Sequence, residues 1–234
     1  MNKEEFIKEI QKLNIKLTDT MESQLEEYAD FLLEYNKHTN LTAIKTKEEV
    51  YLKHFYDSLT LVKIADLQNG KLLDVGTGAG FPGLVLAIVF PNLNVTLLDS
   101  NNKKITFLKE CIEKLQLKNV QTVYNRAEDY ARVHKESYDF VTSRAVAELR
   151  ILLELNIPVL KVNGYFLVMK GNMEKELEES LKTMQILNCK IIQKEQFPLP
   201  NNGGTRTLLK VQKEKETDKK YPRTYDKIKK KAIG

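Results

Sequence analysis

Apolar positions in the first part of the chain recur at helical intervals. Met21, Leu25, Tyr28, Leu32 and Tyr35 fall on one face of a helix. Thr46, followed three residues later by Glu49, is a capping-box signature that opens a second helix through VYLKHFYDSLTLVKI (50–64). Asn69-Gly70 is a turn signal, and beyond it the period changes. Short apolar runs predict strands at KLLDV (71–75), NVTLLD (94–99), NVQTVYN (119–125), YDFVTS (138–143) and GYFLVMK (164–170). Between them lie helical patterns: Ile105, Leu108, Ile112 and Leu115; LRILLELNIPVL, ending near Pro158; and residues 172–187. Pro82 suits the first turn of a helix, where a missing N–H costs nothing. Two last strands, 189–199 and 205–213, flank PNNGG and read as an antiparallel hairpin. The alternation predicts an α/β fold with a doubly wound, mostly parallel sheet that binds its ligands at the carboxyl ends of the strands. Three regions are expected: a helical extension over 1–68 packed on the body, a main domain over 69–212, and a tail over 213–234.

Composition narrows this picture. The chain of 234 residues is long enough for one α/β domain with a real core. Its longest strictly apolar run, LVLAIVF (84–90), is far too short to span a bilayer. The start, MNKEEFIKEI, is acidic where a secretory signal needs a cationic stretch and an apolar one, so a cytoplasmic protein with no membrane partner is expected. Cys111 and Cys189 have neither metal-like nor redox spacing and read as reduced core thiols. No metal site is expected, since the three histidines show no ligand spacing. The net charge of +5 resides wholly in the tail, where nine Lys/Arg and four Asp/Glu follow Gln212. Such a tail suits a polyphosphate partner, or is simply a solvated end.

The chemistry centres on KLLDVGTGAGFPG (71–83). GAGFPG matches the G-x-G-x-x-G pattern of a dinucleotide site, while D-V-G-x-G-x-G suits a different cofactor. Asp74 separates the two, because a carboxylate before the loop repels a pyrophosphate but tolerates S-adenosylmethionine, whose ammonium and sulfonium are cationic. Asp99, closing the second strand, is placed to accept both ribose hydroxyls of either cofactor. The terminal hairpin and the lack of a separate substrate domain favour the methyl donor. A small dinucleotide-binding reductase and a non-catalytic RNA-binding module on the same fold are the competing readings.

NKHTNLTAI (36–44), HFYDSL (54–59), DVGTGAGFPGLVLAI (74–88), LLDSNNKKITFL (97–108) and SRAVAEL (143–149) together resemble the bacterial 16S rRNA guanine-N7 methyltransferase family, also called glucose-inhibited division protein B. The match keeps motif order over nearly the whole chain. It implies a class I methyltransferase, Rossmann-like with a seven-stranded sheet, acting on a guanine in the 530 loop of small-subunit RNA. By position it assigns cofactor contacts to Gly76 and Phe81, to Ala127 and Glu128 after the third strand, and to Arg144 after the fourth. The tail shares the family's Pro-Arg and Lys-rich ending but departs from it at Tyr225-Asp226-Lys227-Ile228.

Guanine N7 carries an in-plane lone pair and no proton, so it needs no general base, and no catalytic acid or base is assigned. TSRAVA at the end of the fourth strand agrees: it lacks the Asn/Asp-Pro-Pro-aromatic motif suited to exocyclic amines, and a Pro-Cys dipeptide suited to pyrimidine carbons is also missing. Gly76 and Gly78 would let the backbone approach the cofactor. Phe81 would pack on the cofactor or join the core, and Arg144 would meet cofactor or phosphate or else pair with Glu148. His54 and Asp57, three apart on one helix face, and Asn40 before them are candidates to cover the substrate cleft. Lys170, Arg206, Lys220 and Arg223 are the candidate RNA contacts. The expected partner is structured 16S RNA or the small ribosomal subunit, bound by a monomer.

Overall fold

One mixed sheet of seven strands, ordered β3-β2-β1-β4-β5-β7-β6, organises the computed structural model. The structure describes residues 1–144 and 147–234; Ala145 and Val146, inside the SRAVAEL motif, lie outside the described residues. The strands are β1 (Gly70–Val75), β2 (Leu93–Asp99), β3 (Val120–Tyr124), β4 (Tyr138–Arg144), β5 (Leu160–Lys170), β6 (Cys189–Pro198) and β7 (Thr205–Lys213). β1 to β5 run parallel to one another, whereas β7 runs antiparallel to both β5 and β6. The chain reverses its direction of winding between β1 and β4, and there a crevice opens beyond the strand ends.

Alternation along the strands sends side chains to two separate cores. Leu72 of β1 and Val95 and Leu97 of β2 meet the helices of one face, while Leu73, Val75 and Leu98 pack on the other. The first face carries α1 (Lys3–Gln11), α2 (Asp19–Thr39), α5 (Gly83–Val89) and α6 (Asn102–Lys114). The second carries α7 (Ala127–Val133), α8 (Leu149–Asn156) and α9 (Glu174–Ile186). The helical extension is thus continuous with the core, since Phe6, Leu25, Tyr28 and Phe55 share one apolar cluster with Leu84 and Phe107.

The helix predicted over 50–64 is present but irregular. After α3 (Lys47–Glu49), whose Glu49 N–H donates to the Thr46 hydroxyl, the chain winds as a π-helix over Val50–Tyr56. It returns to α over α4 (Asp57–Leu59) and ends as a 3₁₀ turn, Thr60–Lys63. Such widened turns tend to accompany functional sites, and this one carries His54. Pro82 stands one place earlier than predicted, as the N-cap of α5. The tail is folded rather than free: α10 (Tyr225–Lys230) is pinned by the fully buried Ile228, and Lys213, the first of the tail's cations, is itself buried against Glu136 at 3.1 Å and the Leu160 carbonyl at 2.9 Å.

Tyr28 ties the extension to the first loop of the sheet. Its ring stacks on Phe81 at 5.4 Å and its hydroxyl donates to the Ala79 carbonyl, with the whole side chain buried. Tyr28→Phe leaves that carbonyl without its donor and should cost about 1–2 kcal/mol in urea unfolding; an unchanged midpoint and slope would show that the bond contributes nothing.

Candidate active site

The loop that follows β1 uses its glycines in two ways. Gly78, at φ +63°, faces open space: a Cβ there would meet nothing nearer than the Gly76 carbonyl at 4.0 Å. Gly80 and Gly83 instead face the protein. A Cβ on Gly80 would lie 2.6 Å from the Tyr28 hydroxyl, and one on Gly83 2.5 Å from Leu97 and 2.8 Å from Asp74. Gly78 therefore opens a cradle while Gly80 and Gly83 pack the loop against α2, α5 and β2.

Two carboxylates fix this loop from behind and below. Asp74, counted from the sequence among the cofactor-binding residues because its charge favours the methyl donor, does not line the cleft. It is wholly buried, and its Oδ2 accepts from the Thr77 hydroxyl at 2.7 Å and the Gly83 N–H at 2.8 Å. Burial pushes its carboxyl up to about 6 despite those donors. Asp99 does reach the cleft wall: its Oδ2 accepts from the Gly78 N–H at 3.0 Å, its Oδ1 from Asn101 N–H at 2.9 Å, and Lys104 stands 3.6 Å away. Each oxygen keeps acceptor capacity beyond these bonds.

The cleft has a volume of about 520 Å³ and lies between the glycine loop, the ends of β2 and β4, and the segment after β3. Gly76, Gly78, Phe81, Asp99, Ala127, Glu128 and Arg144 all line it. Glu128, at the start of α7, is nearly buried and accepts from Arg126 Nε at 2.6 Å. Wall residues that escaped the sequence reading include Arg126, and Tyr225 from the tail, whose ring lies 4.7 Å under the Arg126 guanidinium. No spacing pattern connects them, because they meet only through the tail's return to the body.

One edge of the cleft is closed by a charged cluster. Asp57, with no exposed surface, receives Arg206 through Nε at 2.6 Å and Nη2 at 2.8 Å, and Arg144 through Nη1 at 3.1 Å. Arg144 also donates to the Lys53 carbonyl at 2.8 Å and to His54 Nδ1 at 2.8 Å. It does not pair with Glu148, which bonds Arg150 at 3.6 Å. A guanidinium only donates, so His54 Nδ1 is the acceptor and Nε2–H donates to the Thr42 hydroxyl at 3.1 Å. Burial and the neighbouring Arg144 push His54 down to about 3, and its ring stacks on Phe81 at 3.9 Å and 9°. Phe81 thus joins core and wall at once, sandwiched between Tyr28 and His54.

Several expected RNA contacts prove to be committed elsewhere. Arg206 is spent on Asp57, as above. Lys170 pairs with Glu176, which also accepts from the Leu149 N–H. Arg223 forms a two-pronged pair with the buried Glu154, Nε at 2.8 Å and Nη2 at 2.6 Å. Asn40 is exposed and left-handed at the end of α2, and it is Leu41 and Thr42 after it that reach the cleft. Lys220 is exposed and pairs with Asp218 at 3.0 Å, away from the cleft wall. Among the described residues no group of three His, Cys, Asp or Glu side chains is arranged to hold a metal, and no helix is long and apolar enough to cross a membrane.

A parallel sheet ending in an antiparallel hairpin, an open glycine cradle after β1 and an acid at the end of β2 define a class I S-adenosylmethionine-dependent methyltransferase. Solved structures share the fold: M. jannaschii TYW2 in complex with AdoMet superposes with a TM-score of 0.55 at 20% identity, over 67% of this chain and 74% of that one. A SAM-dependent methyltransferase from Aquifex aeolicus gives 0.55 at 19% identity, over 75% and 97%. More specifically, the chain belongs to the rRNA small subunit methyltransferase G (GidB) family, whose model matches residues 21–220. Relatives named ribosomal RNA small subunit methyltransferase G include those of Lactobacillus helveticus, 48% identical, and of Streptococcus gordonii, 46% identical; the alignments cover 95% of this chain in both cases and 95% and 96% of those proteins. Membership of an enzyme family sets aside both the reductase and the non-catalytic reading.

His54 gives the cleft edge a measurable pH signature. A histidine held neutral in the fold while the unfolded chain titrates near 6.5 makes stability fall as pH drops below that value. Between pH 7.5 and 5.5 the wild type should lose about 1.3 kcal/mol more than His54→Gln, whose amide can make both bonds without titrating. Equal losses in urea titrations at the two pH values would refute a neutral His54.

Proposed function

We propose that this chain transfers the methyl group of S-adenosylmethionine to N7 of a guanine in the 530 loop of 16S ribosomal RNA, without a general base. Bound S-adenosylmethionine supplies an electrophilic methyl on a sulfonium. The residues present fit that cofactor: Gly78 leaves the backbone open beside Gly76 on the cleft wall, Asp99 would offer acceptors to the ribose, and Ala127 and Glu128 would border the adenine. Asp74 acts one layer out, bracing the loop, and Arg144 holds the edge of the cleft.

The state of the cleft's acids and bases carries the choice of N7. Asp99 and Glu128 are bonded to backbone N–H groups and Arg126 respectively, and His54 is neutral with both nitrogens engaged. Among the described wall residues, then, each carboxylate and the imidazole already has a partner. A ring nitrogen with its own lone pair asks for nothing more than alignment at about 3–3.5 Å from the methyl carbon. An exocyclic amine would have to lose a proton to some group. RNA phosphates are left to the exposed lysines at the end of the tail, Lys227, Lys229, Lys230 and Lys231, and the target base must be presented by folded RNA.

Two measurements follow. Small-subunit RNA lacking the modification, incubated with the protein and methyl-labelled cofactor, should yield 7-methylguanosine at a single position in the 530 loop; label on an exocyclic nitrogen or a carbon would exclude the mechanism. Single-turnover rates at saturating substrate should stay within about twofold from pH 6.5 to 8.5, whereas a rise of about tenfold per unit would reveal a base that must be deprotonated.

A further inference from the structure

The tail does more than carry charge. From Lys219 onward it crosses the second face of the sheet, where the Lys219 and Pro222 carbonyls accept from Lys135 at 2.9 Å and Arg132 at 3.4 Å. Tyr221, Pro222 and Ile228 are buried beneath it. Its principal anchor is the pair between Arg223 and Glu154, a glutamate with no exposed surface that also accepts the Arg223 N–H at 3.0 Å. The residue after this anchor, Leu155, lines the cofactor cleft, and two residues beyond Arg223 the tail places Tyr225 on the same wall. Arg126 lies 4.7 Å over the Tyr225 ring and bonds Glu128, so the tail's aromatic side chain and the segment after β3 form one surface.

We infer that the tail completes the cofactor pocket: Tyr225, backed by Arg126 and held in place by the Glu154–Arg223 pair, supplies a flat π-face for the adenine of S-adenosylmethionine. Three observations carry this. Tyr225 is more than a third exposed at 37%, although Arg223 before it is held by Glu154 and Ile228 after it is buried. Its surface opens to a cleft rather than to bulk solvent alone, in company with Asn125, Ala127 and Glu128. A guanidinium stacked behind an aromatic ring stiffens it at little entropic cost, leaving the ring's edge and free surface to a purine. The tail is thereby a binding element for the small molecule as well as a source of charge for RNA. Because one helix, α10, carries Tyr225 together with Lys227, Lys229 and Lys230, an RNA contact that favours this placement of the helix also favours the cofactor, and reciprocally.

The inference rests on the cleft being the cofactor site, and calorimetry of S-adenosylhomocysteine with the full-length chain tests the two separately. Tyr225→Ala should raise Kd about tenfold, the scale of losing one aromatic stacking partner for a base, and Tyr225→Phe should restore wild-type affinity. Glu154→Gln, which loosens the anchor without touching the cleft, should raise Kd in the wild type and have no added effect in Tyr225→Ala. Saturating S-adenosylhomocysteine should slow tryptic cleavage at Lys227 to Lys231 in the wild type but not in Tyr225→Ala. Wild-type affinity in Tyr225→Ala, with weakened binding in Asp99→Ala, would overturn the role of the tail while leaving the cleft reading intact. Wild-type affinity in both would overturn the cleft reading itself.

Discussion

Everything at the mouth of the cleft hangs on the burial of one carboxylate. Asp57 has no exposed surface, and an unpaired carboxylate in that position would cost several kcal/mol. It is neutralised by Arg206 from the closing hairpin and Arg144 from the end of β4, so three distant stretches of chain are obliged to converge. The hairpin cannot swing off the sheet edge, nor the π-helical segment off the cleft, without exposing a charge pair mismatch. Arg144 passes the constraint on: its Nη2 fixes the His54 ring, and that ring fixes Phe81 against Tyr28.

The same arrangement explains why the wall is chemically quiet. Arg144 beside His54 excludes a proton from the imidazole, just as burial does. Asp74 is turned away from the cleft to hold Thr77 and Gly83. Among the described residues, what faces the cleft is a set of dipoles, stacked rings and partnered charges. That surface can position two reactants and exclude water, and a nucleophile with a free lone pair needs no other assistance.

The sheet was legible because its information is local. Each strand's apolar run and each helix's face is written in consecutive residues, and the Gly-rich hairpin announces its own reversal. The glycine loop was only half legible: the residues look alike in sequence, and it took their neighbours to separate Gly78, which faces space, from Gly80 and Gly83, which face Tyr28, Leu97 and Asp74. The charged residues were misread for a physical reason. Asp57 and Arg206 are 149 positions apart, Asp57 and Arg144 87, and Arg223 and Glu154 69. No periodicity relates such pairs, so basic side chains at strand ends and in the tail read as free when they are spent on buried acids. The tail's charge count was correct, yet Lys213 and Arg223 within it serve the fold.

The most direct test of this account is a crystal structure of the protein with S-adenosylhomocysteine. The ligand should lie between Gly78 and Glu128 with its ribose at Asp99, while Arg144 and Arg206 both remain on Asp57. A ligand carboxylate drawing Arg144 away from Asp57, or a ligand bound outside the cleft, would contradict it.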